Sequence, residues 1–431
     1  MKKLKNFPYT VWFLILLSSI TLIVWTLQIE EYVIPIVLLV MIIFCVIYED
    51  TMPTIAIILN AMFMGSRAMT DFQAVPLSIY MVMGASMFGF VLHLIKYKEN
   101  VLHGKMVLGF SMTAIAMALS CFNADVVDIH TFFFLCIAVC YVFGYMFYAN
   151  TLKKDHTDYL LKMMLILGIV VSLQVLIFYL RVEDIQVALE LKQIHLGWGM
   201  SNYVATYLIM FTAITFYYIK TAKIKITWVF VAIFEMVMLV FTESRGGMVM
   251  FAAILPLLFL AILWKDKNWW KYLITFGVGA VGLGIFAILN YDLVTSAFFR
   301  FENLLFDDSG RFEIYVDAIE KFKANPIFGG GIFVRQGATV FNMYHNTILH
   351  VLATTGLVGF TGLMIQFWNQ FKTTLGKFKV NNIFLAISLL GANLHGMVDN
   401  VYFLPQYMIL LIIIVAVKEN ENIITLPSQK M

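Results

Sequence analysis

The sequence has little charge for its length. Only 13% of its 431 residues are Asp, Glu, Lys or Arg, about half the share that soluble domains carry. A soluble domain of this size needs a more polar surface, so the composition excludes a soluble domain. No nucleic-acid partner is expected.

Cysteine is also scarce, and all four cysteines lie in apolar segments: Cys45, Cys121, Cys136 and Cys140. They predict small core residues, not a disulfide framework or a metal site.

Apolar residues dominate instead, with 61% of the chain hydrophobic and a mean hydropathy of +0.87. Stretches long enough to cross a bilayer as helices repeat along nearly the whole chain, about fourteen in all. This pattern predicts an all-α polytopic membrane protein. The third span is the weakest because it carries Pro53, Asn60 and Gly65, and its failure would put every later segment on the other side. The predicted spans are 9–28, 32–48, 51–68, 75–95, 104–122, 130–149, 159–180, 202–219, 225–242, 247–264, 270–289, 345–369, 381–398 and 402–417.

Lysines cluster in alternate loops, as the positive-inside rule requires of cytoplasmic segments. Fourteen spans then put both termini in the cytoplasm. The first apolar stretch is too long for a cleavable signal peptide and lacks a small-x-small site, so we expect it to remain as an anchor. The clusters are Lys2, Lys3 and Lys5; Lys96, Lys98 and Lys105; Lys153 and Lys154; Lys220, Lys223 and Lys225; Lys265, Lys267 and Lys271; and Lys372, Lys377 and Lys379.

The arginines have the opposite distribution, because every one falls on the predicted outer side. The planar guanidinium fork binds phosphate and carboxylate oxygens in pairs, whereas lysine acts as a point charge. The bias therefore favours an anionic ligand at the outer face, although chance could also produce it. The arginines are Arg67, Arg181, Arg245, Arg300, Arg311 and Arg335.

The long loop at 290–344 is the main segment outside the spans, and it is predicted to be extracytoplasmic. It divides the chain into a helical region at 1–289 with about eleven spans, the loop itself, C-terminal spans within 345–417, and a cytoplasmic tail at 418–431. Within the loop, an apolar stripe at helical spacing predicts an amphipathic helix over 311–323. Asn325 and Pro326 end that helix, and three glycines at 329–331 permit a tight turn. The stripe consists of Phe312, Tyr315, Ile319 and Phe322.

Ser244, Arg245, Gly246 and Gly247 stand immediately before an apolar helix. Together they supply a guanidinium group, flexible backbone and the N–H groups of a helix start, a combination that suits an anion. The alternative is an interfacial arginine that pairs with Glu243.

His345 lies at the outer mouth of a predicted span, where an imidazole can take a proton from a sugar hydroxyl. Asn346 beside it could orient a substrate. The alternative is a structural histidine at the interface. His350 and His395, the latter near Asp399 and Asn400, are weaker candidates.

Other motifs are absent or misplaced. Residues 277–282 match GxGxxG by letter but lie inside an apolar span, so they predict close helix packing and not a dinucleotide site. The sequence contains no HExxH, no cysteine pair at zinc spacing and no DxD in the outer loop. No metal or cofactor is expected.

Three elements follow one another in the C-terminal half: the segment Ser244 to Gly247, the run from Gly310 to Gly331, and His345-Asn346 followed by Gly356 and Gly359. In this order they resemble the O-antigen ligase and O-antigen polymerase superfamily of bacterial polysaccharide assembly. The counterparts are its Ser-Arg-Gly element, its outer-loop arginine with an amphipathic helix and Pro-x-x-Gly-x-Gly, and its His-Asn return into the membrane. Many members have around twelve spans, so the resemblance places the number between about twelve and fourteen.

The resemblance implies a metal-independent, inverting GT-C-type glycosyltransferase of the bacterial cytoplasmic membrane. Its donor would be an oligosaccharide on a polyprenyl diphosphate such as undecaprenyl diphosphate. Carried onto this chain, it implies that Arg245 and Arg311, with Ser244 and Gly246, hold the diphosphate and that His345 activates the acceptor hydroxyl. Arg335, Arg300, Arg67 and Asn346 are secondary candidates.

The first functional hypothesis is a polymerase of capsule, O-antigen or exopolysaccharide repeat units that works beside a flippase and a chain-length regulator. The second is a ligase that moves a finished glycan to a lipid or protein acceptor. The sequence leaves the two unseparated because they differ in the acceptor pocket. A transporter or flippase is the alternative of another class, and it would place binding residues near the bilayer midplane.

Overall fold

The computed structural model describes residues 6–66, 77–266, 269–302, 310–336, 339–341, 344–376, 378–402 and 404–424. Helices make up 80% of the structure, which confirms the predicted all-α fold. The helices are α1 (Val11–Leu27), α2 (Glu30–Ile47), α3 (Met52–Phe63), α4 (Leu77–Tyr97), α5 (Val107–Ser120), α6 (Ile129–Thr151), α7 (Thr157–Arg181), α8 (Ile185–Glu190), α9 (Ser201–Thr221), α10 (Lys225–Val240), α11 (Arg245–Leu263), α12 (Trp269–Leu289), α13 (Tyr291–Glu302), α14 (Arg311–Ala324), α15 (Thr347–Leu375), α16 (Val380–His395) and α17 (Pro405–Ile424).

Eight of the described helices are long and apolar enough to cross a membrane, and four shorter ones are also apolar. Each predicted span overlaps one helix in chain order, while α8, α13 and α14 lie between spans. The chain is therefore a multi-pass membrane protein.

One end of the bundle, here called the lysine end, is held by buried ionic contacts. The His156 ring bonds the Asp50 carboxylate at 2.7 Å, and Lys379 pairs with Glu421 at 2.5 Å. Glu421 also pairs with Lys418, and both side chains are fully buried. Buried charges are tolerated only when they are paired in this way.

The opposite end, here called the histidine end, carries the predicted site residues. Ser66 donates to the Glu30 carboxylate at 2.7 Å there, and Arg181 donates to the Thr26 carbonyl at 2.6 Å. Successive helices run between the two ends. The alternation of lysine-rich and lysine-poor loops along the sequence thus corresponds to the two ends of the bundle.

The third predicted span, α3, connects the two ends although it is only 12 residues long. Thr51 bonds Thr151 at the lysine end at 2.7 Å, and the Gly65 carbonyl accepts from the Trp198 N–H at the other end. All residues of α3 are buried. Pro53 stands in the first turn, where its missing N–H costs nothing, and the Asn60 oxygen accepts from Thr21 at 2.8 Å. Pro53, Asn60 and Gly65, which made this span the weakest prediction, are therefore all accommodated in the structure.

The outer loop contains more structure than the sequence predicted. Helix α13 precedes α14, and a short antiparallel pair, β1 (Val334–Gln336) and β2 (Thr339–Phe341), follows it. The predicted helix at 311–323 is α14, but its apolar stripe is not the buried face. Phe312 is 70% exposed, whereas Ala318 is 1% exposed and packs on Tyr344 and Ala353. The spacing of the apolar residues predicted the helix correctly, but packing against the neighbouring α15 determines which of its faces is buried.

Two further expectations need correction. The predicted tail at 418–431 begins inside α17, which continues to Ile424 because Lys418 and Glu421 pair within the bundle. Within 277–282, only Gly279 packs closely, since an added β-carbon there would meet Ile233 at 2.7 Å, whereas Gly277 and Gly282 have open space.

A break in α15 joins the outer loop to the bundle. Gly356 has non-helical angles (φ 61°, ψ −160°), so the helix loses its own hydrogen bonds there. Backbone groups of the loop replace these hydrogen bonds on both sides of the break. Only glycine fits at position 329, because the β-carbon of any other residue would lie 2.3 Å from the α15 backbone. The replacing bonds are Gly330 N to Ala353 O (2.8 Å), Gly331 N to Thr354 O (3.2 Å), Leu357 N to Pro326 O (2.9 Å) and Val358 N to Ile327 O (3.2 Å).

Candidate active site

His345 and Asp399 form a pair at the histidine end. The His345 Nδ1 lies 3.1 Å from Asp399 Oδ1; the histidine side chain is 34% exposed and the aspartate side chain 3% exposed. His345 has a positive φ of 48°, an uncommon backbone state that often marks functional residues. The structure thus gives the sequence candidate a buried carboxylate partner.

Asp399 is held as a carboxylate. Burial raises its pKa, but the hydrogen bond and charge of His345, the charge of His395 and the bond from the Asn400 N–H outweigh burial and lower it to about 2. A carboxylate only accepts hydrogen bonds, so the His345 Nδ1 must carry the proton in this pair. Whenever the ring is neutral, its Nε2 keeps a lone pair and can act as a base.

Helix α14 brings Arg311 beside this pair. The Tyr315 hydroxyl, one turn after Arg311, donates to the His345 carbonyl at 3.1 Å. Burial raises the Tyr315 pKa, the positive charge of Arg311 lowers it and the negative charge of Asp399 raises it. Tyr315 therefore lies within electrostatic range of both charged groups, and Arg311 belongs to the same site.

Ser244 caps α11 by accepting from the Gly247 N–H at 3.2 Å and donates to Asn202 at 2.9 Å. Its hydroxyl also lies 3.5 Å from the His395 Nε2. The other nitrogen of His395 bonds Thr206 at 2.7 Å, and Lys192 donates to the Asn202 oxygen at 2.9 Å. Residues from α9, α11 and α16 thus fix the backbone that carries Arg245.

The segment before α11 packs against the turn that follows α16. A β-carbon at Gly246 would lie 2.7 Å from Val398 Cγ2 and 3.7 Å from His395 Nε2. Val398 precedes Asp399 in the chain, and half-buried Arg245 precedes Gly246. The turn at 396–402 therefore links the Arg245 segment to the His345 pair.

The secondary candidates divide into three groups. Asn346 caps α15, accepting from the Leu349 N–H at 3.0 Å and donating to the Met397 carbonyl at 2.8 Å, so it holds the turn in place. Arg300 lies in α13 and Arg335 in β1, where only the backbone is described. Arg67 lies outside the described residues.

Within the described ranges, no three His, Cys, Asp or Glu side chains gather in a way that could hold a metal ion. The cations of the site are the guanidinium groups of Arg245 and Arg311 and the ammonium group of Lys192. Together with the His345–Asp399 pair, these groups suit acid–base and electrostatic catalysis.

Residues 228–364 match the family described as O-Antigen ligase. This segment is therefore similar to the O-antigen ligase family. The match supports the predicted superfamily. It indicates a function of the O-antigen ligase type, that is, glycan transfer. A search of curated proteins finds no match.

The matched segment contains Ser244, Arg245, Arg311 and His345 but ends before His395 and Asp399. The partners of the predicted residues thus come from outside it, on α16 and the following turn. Asn202, Thr206, Lys192 and Tyr315 were not predicted as site residues at all. Asn202 follows a Gly-Trp-Gly turn, a weak signal, and nothing in the local sequence distinguishes Thr206 from other threonines in spans.

Proposed function

We propose that the protein polymerises lipid-linked oligosaccharide repeat units at the outer face of the bacterial cytoplasmic membrane. The donor is a glycan on a polyprenyl diphosphate, and the acceptor is a hydroxyl of the next repeat unit. The observation that carries the proposal is the His345–Asp399 pair. The turn after α16 links this pair to the segment that carries Arg245, and the Tyr315–His345 hydrogen bond links it to the helix that carries Arg311.

His345 is the general base. Its Nε2 takes the proton of the acceptor hydroxyl as the oxygen attacks the anomeric carbon, and Asp399 stabilises the imidazolium that forms. The new glycosidic bond forms as the bond between the anomeric carbon and the diphosphate oxygen breaks, with inversion. The bonding electrons leave with the diphosphate.

Arg245 and Arg311 neutralise the leaving diphosphate. Two guanidinium forks match its two groups of oxygens, and the start of α11 adds the positive end of a helix dipole. Electrostatic stabilisation of this kind supplies much of the rate in the absence of a metal.

Buried polar atoms beside the pair are available to a substrate. Asp399 Oδ2, Thr347 Oγ1 and both amide atoms of Asn400 are buried and make no hydrogen bond within the described part of the chain. Leaving such atoms without a partner is costly. We assign them to the hydroxyl groups of a bound sugar or to bridging water.

A ligase is the second candidate, and the description of the matched family favours it. The same base and the same diphosphate contacts serve both reactions. They differ in whether the acceptor is another repeat unit or a different molecule.

The test is to incubate the purified protein with a defined undecaprenyl-diphosphate-linked repeat unit. A ladder of products supports the polymerase, and a single transfer that needs an added lipid or protein acceptor supports the ligase. Movement of the lipid-linked unit across a vesicle membrane without any glycan product would contradict both and favour a flippase.

A further inference from the structure

Tyr344 is the residue before the proposed base, and its ring, its hydroxyl group and its backbone are all held. The side chain is 2% exposed, and the ring packs on Ala318 of α14 and Ala353 of α15. The hydroxyl donates to the Asp317 carboxylate at 2.8 Å. The backbone N–H donates to the His350 Nδ1 at 3.4 Å. The residue that leads into the active site is therefore fixed relative to both helices.

The Tyr344 hydroxyl acts as a stable donor. Burial, together with the hydrogen bond and the charge of Asp317, raises the pKa of Tyr344 above its ordinary value, so the hydroxyl keeps its proton at neutral pH. A carboxylate only accepts hydrogen bonds, which sets the direction of this bond. Hydrogen bonds to a charged acceptor are also stronger than those between neutral groups. Residue 344 is thus firmly tied to α14.

A second tyrosine bond runs in the opposite direction between the same two segments. Tyr315 of α14 donates to the His345 carbonyl oxygen at 3.1 Å, whereas Tyr344 donates to α14. These two contacts, Tyr315 with His345 and Tyr344 with Asp317, are here called the reciprocal tyrosine bonds. They lie on either side of the His345 α-carbon. Together they fix both the position and the rotation of its backbone, which a single bond would leave free to rotate.

The backbone of His345 needs such support. Its φ is 48°, in the left-handed region that residues with a β-carbon rarely adopt. Strained states of this kind persist only where the surrounding contacts over-determine them. The same backbone angle sets the direction of the side chain, whose Nδ1 lies 3.1 Å from Asp399 Oδ1. Relaxation of the backbone would turn the imidazole away from that carboxylate.

We propose that the reciprocal tyrosine bonds position the general base. They hold the His345 backbone in its left-handed conformation and so aim the imidazole at its carboxylate partner and at the acceptor hydroxyl. The positioning residues are Tyr315, Asp317 and Tyr344, and His350 supports them as the acceptor for the Tyr344 N–H. The inference rests on the proposed function, since it explains how the base of that reaction is oriented.

The test compares two acceptors with one lipid-linked donor. One acceptor carries the natural hydroxyl, and in the other a thiol replaces the attacking hydroxyl. The assay is run at pH about 8.5, the ordinary pKa of a thiol, where about half of the analogue is thiolate. A thiolate attacks the anomeric carbon without giving up a proton, so its transfer needs no base. A variant that only misplaces the base should therefore lose activity with the hydroxyl and keep it with the thiol.

Tyr344→Phe removes the hydroxyl but keeps the ring that packs on α14 and α15. We expect kcat with the hydroxyl acceptor to fall about tenfold, because small displacements of a catalytic group are costly. The KM for the donor and the turnover of the thiol acceptor should stay those of the wild type. His345→Ala should show the same selectivity with a larger loss.

The matched control is Tyr159→Phe. Tyr159 is also buried, and its hydroxyl donates to the Pro8 carbonyl at 2.9 Å, but it lies at the lysine end. This variant should behave as the wild type with both acceptors.

Asp317 provides an independent measurement. Asp317→Asn keeps an oxygen that accepts from Tyr344 and should retain most of the activity, whereas Asp317→Ala removes the acceptor and should match Tyr344→Phe. The double variant Tyr344→Phe/Asp317→Ala should lose no more than either single variant, because all three remove the same bond.

Three results would overturn the proposal. They are full activity of Tyr344→Phe with the hydroxyl acceptor, an equal loss with both acceptors, and additive losses in the double variant. Failure of the proposed function has a different signature. In that case the wild type transfers glycan to neither acceptor, or the thiol does not restore transfer by His345→Ala.

Discussion

At the scale of single residues, burial separates His345 from His395, which the sequence had ranked as a weaker candidate. His345 is partly exposed and bonds a carboxylate, whereas His395 is 1% exposed and bonds Thr206 at 2.7 Å. Only the first can meet an acceptor without rearrangement. The second holds the segment that carries Arg245, so both serve one site in different ways.

We expect His345→Ala to abolish glycan transfer, a loss of at least about 100-fold, with protein level and membrane insertion unchanged. Asp399→Asn should be nearly as severe, because an amide can donate to Nδ1 and so favour the wrong tautomer. Turnover of a defined lipid-linked donor by purified variants measures both. His103→Ala, which removes an exposed histidine at the lysine end, serves as the control. Full activity in His345→Ala would refute the base assignment.

Arg245→Lys tests whether the site needs the guanidinium fork or only its charge. Lysine keeps the charge but loses paired hydrogen bonding, so we expect kcat/KM for the diphosphate donor to fall at least about tenfold. Arg181→Lys is the matched control, since Arg181 lies at the same end and donates to a backbone carbonyl. A lysine variant at 245 with normal kinetics would show that charge alone suffices.

At the scale of elements, the outer loop and α15 form one unit. Both halves of the broken helix are completed by loop backbone, and α14 is tied to the mouth of α15 through Tyr315 and His345. The Pro-x-x-Gly-x-Gly run and Gly356 are therefore two sides of one joint. This joint fixes Arg311 relative to the catalytic pair.

Gly356→Ala should disrupt the joint. A β-carbon there would lie 2.4 Å from the Ile327 carbonyl oxygen, at a φ of +61°, so clash and strain together should cost more than about 3 kcal/mol. Thermal unfolding in detergent should show a lowered Tm, accompanied by loss of activity.

Two other glycines separate the contributions to that loss. Gly310 has a positive φ, but a β-carbon there would meet nothing within 4 Å, so Gly310→Ala tests backbone strain without a clash. Gly282 has neither a positive φ nor a neighbour within 4 Å of an added β-carbon. We expect a small loss of stability at 310 and none at 282. A Gly356→Ala protein as stable as the Gly282→Ala protein would argue against the joint.

At the scale of the whole molecule, the two ends of the bundle carry different chemistry. The lysine end is held by buried polar pairs such as His156 with Asp50 and Lys418 with Glu421. The histidine end gathers Arg181, Arg245 and Arg311. The described structure also contains one fully buried carboxyl group between the ends, Glu235 of α10, so the polar residues are not confined to the rims as the sequence suggested.

Sidedness can be measured with single cysteines introduced after the native ones are replaced. Glu320 of α14 is exposed at the histidine end, and Leu102 is exposed at the lysine end. We expect a membrane-impermeant thiol reagent to label Glu320→Cys in intact cells and Leu102→Cys only after permeabilisation. The reverse result would put the candidate site in the cytoplasm and exclude a donor presented at the outer face.

The sequence by itself determined the class of the molecule and the position of each long apolar helix along the chain. Long apolar stretches have few alternatives in a membrane, because every backbone polar group must be satisfied within a helix. The same local reasoning found α14, and a short run of motif residues pointed to Arg245, Arg311 and His345. These features depend on neighbours in the chain.

Only the tertiary structure decided which face of α14 is buried, how α3 spans the bundle and which carboxylate pairs with His345. Asp399 is 54 residues from His345 in the chain, and Asn202 is 42 from Ser244. Such contacts are set by the way helices pack, and an apolar helix surface encodes packing only weakly when nearly all of its faces are apolar.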